Sequence, residues 1–309
     1  MKKRMIALML IMALVLSVSA LAAPGASGER GGNRTGGGRA ALSDEAQAVI
    51  DEVADDFIQE TFVDEQTGIE LEYSLFIPAD YDGTQAYPMI MYIPDSTGSG
   101  LSAAEIVSSY YGAAVWAGEE DQAKHPCFVL VPAFSGTVVD DNWNTSEQIE
   151  VAVRLIGQLT EEYAIDTDRL YTTGQSMGCM TSLYLNSVYP DLFAASLFVS
   201  GQWDIGVLQP LENATFVYIT SNGDSKASGG LNEVIAMFDA DGAEYSYAAW
   251  DPYDDIDTQN AAAEALLAQG TQANMIHFEA ADSSSDLTHM QSFDYAYQLT
   301  AVRDWLFEQ

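Results

Sequence analysis

Residues 170–180 read LYTTGQSMGCM. Leu170–Thr173 has the apolar and β-branched composition of a buried strand. Residues 177–189 carry apolar positions at helical spacing. Between the two stands Gly174-Gln175-Ser176-Met177-Gly178, a G-x-S-x-G pattern. Alone the pattern is weak, because common Gly and Ser give roughly 0.1 chance matches in a chain of this length. Its setting sharpens it. A strand that turns at once into a helix needs glycines where the backbones cross, and such a turn lifts the serine hydroxyl clear of the sheet. The helix N-terminus under Ser176 also favours negative charge. The alternative is a serine that merely caps an ordinary strand-to-helix turn.

Working outward, the same alternation continues along the chain. Ser43 reads as an N-cap, followed by acidic Asp44 and Glu45, and Val49, Ile50, Val53 and Phe57 form a helical stripe. Strand-like runs at Thr61–Val63 and Ile69–Ile77 flank the turn-rich Asp64-Glu65-Gln66-Thr67-Gly68, which predicts an antiparallel hairpin. Strands follow at Pro88–Ile93, Cys127–Val131, Leu170–Thr173, Ala195–Ser200, Thr215–Thr220, Glu244–Trp250 and Asn274–Glu279. Helices are predicted at Ser146–Tyr163, Met177–Tyr189, Leu231–Asp239, Thr258–Gln269 and Gln291–Glu308. Unbroken apolar strands alternating with amphipathic helices imply an α/β fold: a mostly parallel sheet covered on both faces, entered through an N-terminal hairpin. No internal repeat is visible. The folded region reads as one domain spanning 42–309.

The first residues read differently. Lys2, Lys3 and Arg4 precede an apolar run from Met5 to about Val18, and Ala20-Leu21-Ala22 supplies small residues at a cleavage position. This is the pattern of a signal peptide over 1–22, and it predicts a secreted, extracellular protein. Residues 23–41, APGASGERGGNRTGGGRAA, read as a Gly-rich disordered tether. The chain is strongly acidic, with 11 Lys and Arg against 46 Asp and Glu and a formal charge of -35. Cleavage after Ala22 removes three basic residues and no acidic ones, which moves the charge to about -38. Such a surface repels nucleic acid and anionic membranes. Neither is expected as a partner once the signal is cleaved; a monomer or weak homo-oligomer is expected. Export permits a disulfide, but Cys127 opens one strand while Cys179 starts the helix after another. Those are opposite edges of a parallel sheet, so no bridge is expected.

A serine nucleophile needs a base, and the chain has three histidines. His125 precedes Pro126 at the start of a strand, on the wrong edge. His277 lies inside the strand-like NMIHFEA. His289 lies in SSSDLTHMQSFDYAY, a loop after the last strand that opens on the same edge as Ser176, and it is the expected base. A carboxylate must then orient the imidazole. Asp224 follows the strand TFVYIT through Ser221-Asn222-Gly223 on that edge and is favoured. Asp251, Asp254, Asp255 and Asp257 follow a later strand and are the fallback. Their clustering lacks the Gly and Glu spacing of a calcium loop, and no metal site is expected. Two backbone N–H groups should hold the developing oxyanion. One is that of Met177; the other is expected from Pro94-Asp95-Ser96-Thr97-Gly98, at Ser96.

Together these residues resemble a bacterial branch of the α/β-hydrolases: secreted esterases and predicted peptidases related to feruloyl esterases and poly(3-hydroxybutyrate) depolymerases. The resemblance runs over roughly 60–309. It is carried by LEYSLFIPADYD, YPMIMYIPD, DRLYTTGQSMGCMTSLYLNSVYPDLFAASLFVSG and the terminal HMQSFDYAYQLTAVRDWLFEQ. It implies an α/β-hydrolase fold and a Ser–Asp–His triad mapping onto Ser176, Asp224 and His289. In one respect the chain departs. That group often has His-Gly after the strand ending at Ile93, where this chain has Pro94-Asp95, and a carboxylate beside an oxyanion opposes catalysis unless it points away. Trp143 and Trp203, both in loops after strands, are candidates to line a substrate pocket, as are Tyr110 and Tyr111. The expected activity is cofactor-free hydrolysis of a small-molecule or polymer carboxylic ester through an acyl-enzyme. The alternatives are a serine peptidase acting on short peptides and a non-catalytic binding protein on the same scaffold.

Overall fold

The computed structural model describes residues 42–309. The expected signal peptide over 1–22 and the expected tether over 23–41 lie outside the described residues. Nine strands form one sheet: β1 (Ile58–Val63), β2 (Glu70–Phe76), β3 (Tyr87–Ile93), β4 (Phe128–Ala133), β5 (Ile165–Gln175), β6 (Ala195–Val199), β7 (Phe216–Ser221), β8 (Tyr245–Trp250) and β9 (Ala273–Phe278). Their spatial order is β1-β2-β4-β3-β5-β6-β7-β9-β8. β1 and β2 form the antiparallel hairpin that the sequence predicts, and β2 runs antiparallel to β4. Every other pairing is parallel.

The hairpin turn is built from the residues that suggested it. Gly68 takes a left-handed φ of 74°, and its N–H donates to the Asp64 carbonyl. The Asp64 carboxylate accepts from the Thr67 N–H and hydroxyl and from the fork of Arg154, which anchors the turn to the helix Gln148–Glu162. That array of donors holds the Asp64 pKa down at about 2.

Alternation along β3 explains why the sheet is covered twice. Ile90 and Tyr92 enter one hydrophobic core, and Met89, Met91 and Ile93 enter the other. The first core packs the helices Asp44–Val53, Ile256–Leu267, Ser292–Gln298 and Thr300–Phe307; the second packs Gln148–Glu162, Met177–Val188 and Ser225–Asp241. Ser43 is the N-cap of the first helix, its hydroxyl accepting from the Ala46 N–H at 3.1 Å. Cys127 and Cys179 are buried free thiols, and they lie in different cores, Cys127 in the first and Cys179 in the second.

The closing helix departs from its expected span. It breaks at Leu299 into Ser292–Gln298 and Thr300–Phe307. The Tyr297 carbonyl freed at the break accepts from Arg303 Nη1, and the freed Ala301 N–H donates to Asn260 Oδ1 at 3.0 Å. Side chains thus supply the partners that an unbroken helix would have supplied, at a point where the apolar pattern alone shows no interruption.

Candidate active site

β5 ends at Gln175, and the helix Met177–Val188 begins two residues later. Ser176 sits between them at φ 51° and ψ -113°, a conformation that L-residues rarely adopt. The two flanking glycines allow this corner. A Cβ on Gly174 would stand 2.5 Å from the Gly178 backbone, and one on Gly178 would stand 1.9 Å from the Ile93 carbonyl oxygen. The Ser176 N–H donates to the Val199 carbonyl on β6 at 3.0 Å, which fixes the corner to the sheet.

Three side chains distant in sequence meet here. The Ser176 hydroxyl lies 2.7 Å from His289 Nε2, and His289 Nδ1 lies 2.5 Å from Asp224 Oδ2. With a carboxylate accepting from Nδ1–H, Nε2 is left as the acceptor for the Ser176 hydroxyl. Asp224 is 6% exposed, and its second oxygen accepts from the Ala227 N–H at 3.1 Å as it caps the helix Ser225–Asp241. One residue therefore starts a helix and holds an imidazole.

The loop that carries His289 is tied to the sheet edge at several points. The Ser221 hydroxyl donates to the Leu287 carbonyl at 2.8 Å, and Gly223 forms a parallel bridge with Thr288. A Cβ on Gly223 would stand 2.3 Å from the Leu287 carbonyl oxygen. On the other side the Ser292 hydroxyl donates to the His289 carbonyl and accepts from Ser200. Phe293 meets the His289 ring edge-on at 5.0 Å.

The other histidines stand elsewhere. His125 bonds Asp304 and stacks on Phe307. His277 is held between the Thr220 hydroxyl at Nδ1 and Asn222 Oδ1 at Nε2, and burial lowers its pKa. Two of the four fallback carboxylates are occupied elsewhere: Asp255 caps the helix Ile256–Leu267, and Asp251 accepts from the Tyr253 and Ala281 N–H groups.

The Asp95 carboxylate is taken up by neighbouring donors. Oδ1 accepts from the Thr97 N–H at 2.7 Å and from the Thr97 hydroxyl at 2.6 Å; Oδ2 accepts from the Gln175 amide at 2.9 Å. Gln175 Oε1 in turn accepts from the Tyr92 hydroxyl. The carboxylate is 1% exposed and serves as the cap of the 3-10 turn Ser96–Gly98. Ser96 and Met177 both border a cavity of about 410 Å³ together with Ser176 and His289. Among the described residues, neither the Ser96 nor the Met177 N–H has a hydrogen-bond acceptor.

The cavity wall corrects one expectation. Neither Trp143 nor Trp203 borders it. Trp203 is buried in the core at 3% exposure, wedged edge-on between Tyr184 and Trp143, and Trp143 lies 41% exposed on the outside. Trp203 directly follows the lining residue Gln202, and Trp143 stands two residues after the lining residue Asp141. Trp203 thus backs the wall from the core, where burial of its apolar bulk is favourable. Tyr110 and Tyr111 are also buried away from it.

The residues that do form the wall include Val139, Met180, Gln202 and Lys226. Lys226 pairs with Asp141 at 2.7 Å, and Gln202 donates to the same carboxylate at 3.1 Å. Sequence reading missed this pair, though one signal was present: Lys226 is one of few cations in the chain and stands two residues after Asp224.

No family model matches the sequence, and no curated protein matches it. Solved structures do match. A thermostable esterase superposes with TM-score 0.63 at 24% identity, over 84% of this chain and 64% of that one. This chain thus spans about 64% of that esterase's length. A feruloyl esterase module from Clostridium thermocellum, complexed with sinapinate, matches at TM-score 0.53 and 14% identity, over 80% of this chain and 87% of the module. A putative dipeptidyl aminopeptidase IV from Bacteroides ovatus matches at TM-score 0.52 and 13% identity, over 81% of this chain and 35% of that one.

Proposed function

We propose that this chain, by fold an α/β-hydrolase of the esterase and peptidase group, is an exported serine hydrolase of carboxylic esters. The observation that carries the proposal is the continuous hydrogen-bonded relay from Asp224 through His289 to Ser176. The strained corner presents that hydroxyl to a cavity of about 410 Å³, a size that suits a small-molecule ligand.

In this reading His289 Nε2 takes the Ser176 proton as Oγ attacks the ester carbonyl carbon. Asp224 stabilises the imidazolium formed. Negative charge collects on the carbonyl oxygen, where the Met177 and Ser96 N–H groups donate to it. The imidazolium returns the proton to the leaving alkoxide, which departs as the alcohol and leaves an acyl-Ser176. Water, deprotonated by His289, then attacks the acyl carbon, and the acid is released with the serine restored. The engagement of both Asp95 oxygens by Thr97 and Gln175 weakens the objection raised by Pro94-Asp95 and with it the motive for a purely binding role.

A fluorophosphonate probe tests the chemistry. It should label the native protein and not Ser176→Ala. Turnover of short p-nitrophenyl esters should fall by several powers of ten in Ser176→Ala and in His289→Ala, with the fold intact. Absence of labelling in the native protein would refute the enzyme reading. Faster turnover of aminoacyl nitroanilides than of esters would assign a peptidase instead. Feruloyl, acetyl-sugar and polyester substrates then sort the ester class. Export is tested separately: the N-terminus of protein recovered outside the cell should be Ala23.

A further inference from the structure

The segment that follows β4 crosses the catalytic rim. In the sheet, β3 and β5 stand between β4 and β6, which puts β4 and β6 three strand spacings or about 14 Å apart. Yet Asp141, in the segment after β4, reaches the segments that follow β6 and β7. Its Oδ1 accepts from the Gln202 amide at 3.1 Å, and its Oδ2 accepts from Lys226 Nζ at 2.7 Å. The Trp143 ring meets that of Trp203 on the same far side, with centroids 5.3 Å apart. In between, Thr137, Val139, Asp140 and Asp141 line the cavity that also holds Ser176 and His289.

This finger is stiff within itself and lightly held at its tip. Val139 bridges Thr145, the Ser146 N–H donates to the Val138 carbonyl at 2.8 Å, and Asp140 Oδ1 accepts from the Asn142 and Asn144 N–H groups. Val138 and Val139 root it in the second core, whereas residues 141–145 are exposed. At the tip Trp143 holds a left-handed φ of 63°, a conformation that persists only where the surroundings fix it. The lysines and arginines of residues 42–309 are Lys124, Arg154, Arg169, Lys226 and Arg303, and of these Lys226 alone lines the cavity. It stands where a carboxylate from the far wall can reach it.

Resting on the ester-hydrolase reading, we infer that Asp141 is a specificity-determining residue of this site. Its bonds to Lys226 and Gln202 latch the finger to the far wall and set how wide the cavity opens. The latch therefore selects against esters whose acyl chain extends past the tip. Both members of the ion pair are 61% exposed, so the latch is weak enough to yield to a long chain and is screened by salt. It acts on selectivity and not on the chemical step, because its partners are Gln202 and Lys226 and not members of the relay.

Hydrolysis of p-nitrophenyl acetate and p-nitrophenyl octanoate by the mature protein tests this. The quantity read is the ratio of kcat/KM for octanoate to that for acetate. Asp141→Ala should raise the ratio by about three- to fivefold, the effect of losing one exposed ion pair. Lys226→Met should raise it less, because Gln202 still holds the carboxylate, and the double variant should match Asp141→Ala, since the two side chains act as one unit. Added sodium chloride should raise the native ratio more than that of Asp141→Ala, where no pair is left to screen. A ratio unchanged or lowered in both Asp141→Ala and Lys226→Met, with acetate still turned over by the native protein, would overturn the latch and leave the esterase reading standing. An equal salt response in the native protein and Asp141→Ala would do the same. No turnover of either ester by the native protein would remove the esterase reading and the inference with it.

Discussion

Asp95 and Gln175 join the loop after β3 to the residue that precedes Ser176. The Gln175 amide donates to Asp95 Oδ2 at 2.9 Å, and both side chains are buried. The same carboxylate holds the Thr97 N–H, so one acidic side chain sets the spacing between Ser96 and the Ser176 corner. Asp95→Ala leaves the buried Gln175 amide without its acceptor, at a cost of about 1–3 kcal/mol, and releases the Thr97 N–H and hydroxyl. Because an oxyanion donor is worth about 100-fold or more in rate, a shifted Ser96 should lower kcat by at least about tenfold, with a smaller change in KM. Steady-state kinetics on a p-nitrophenyl ester decide this; an unchanged kcat would mean that Ser96 needs no such brace.

The φ of 51° at Ser176 is a store of strain within the fold. Such a residue costs about 1–3 kcal/mol, and glycine removes the steric part at an entropic cost of about 0.5–1 kcal/mol. Ser176→Gly should therefore be more stable than the native chain by roughly 1 kcal/mol, while Ser176→Ala, whose Cβ keeps the strain, should not. Both should be inactive on esters. Urea midpoints compared across the three proteins test the claim, and equal midpoints for Gly and Ala would remove it.

The elements most legible in the sequence were those in which local pattern and tertiary role coincide. The apolar run at 88–93 and the G-x-S-x-G turn needed no long-range information, since burial on both faces and a tight corner each leave a local mark. Chain order and strand polarity likewise bring the ends of β5, β7 and β9 to one rim, which is why Ser176, Asp224 and His289 could be named together. What the pattern could not carry was direction. Nothing local says that Asp95 turns toward Gln175 or that Trp203 turns inward toward Tyr184. Nor does it say that β9 inserts between β7 and β8, against chain order. The break at Leu299 was hidden for a related reason. Its compensating partners, Arg303 and Asn260, read as ordinary helical positions.

His277 ties β9 to the end of β7 through Thr220 and Asn222, which stand four and two residues before Asp224. Burial holds its pKa below the ordinary histidine value. A base with a lowered pKa binds fewer protons folded than unfolded, so the protein should lose stability as pH falls below about 6.5. His277→Gln should flatten that part of the pH dependence. Denaturant midpoints at pH 7 and pH 5 for the two proteins check it; identical slopes would show that the site does not titrate with folding.

Glu212 Oε1 is buried without a hydrogen-bond partner among the described residues, and burial together with nearby Asp241 raises the Glu212 pKa. A carboxyl group with a raised pKa favours the folded state while protonated and loses that advantage as pH rises through the raised value. Burial and the neighbouring Asp241 both disfavour the charged form of Glu212. Glu212→Gln should stabilise the protein at pH 7, and the gain should shrink toward pH 4. Thermal melts at the two pH values measure this, and a gain independent of pH would point to packing instead.

Arg303 and Asp121 are 4% and 5% exposed, and the guanidinium also takes the Tyr297 carbonyl at the break in the closing helix. Removing one partner of a buried ion pair leaves the other charge uncompensated, so Asp121→Ala should cost about 3–5 kcal/mol. The loss should be felt first in the segment Ser292–Phe307, whose hydrogen exchange should quicken more than that of the sheet. Replacing both partners by apolar residues of similar volume should recover most of the stability, because the desolvation penalty disappears with the charges. His289 stands three residues before this segment. Ester turnover in Asp121→Ala should therefore be near native at low temperature and be lost on heating before the sheet melts. Loss of activity and of sheet structure at one temperature would show instead that the closing helices and the core unfold together.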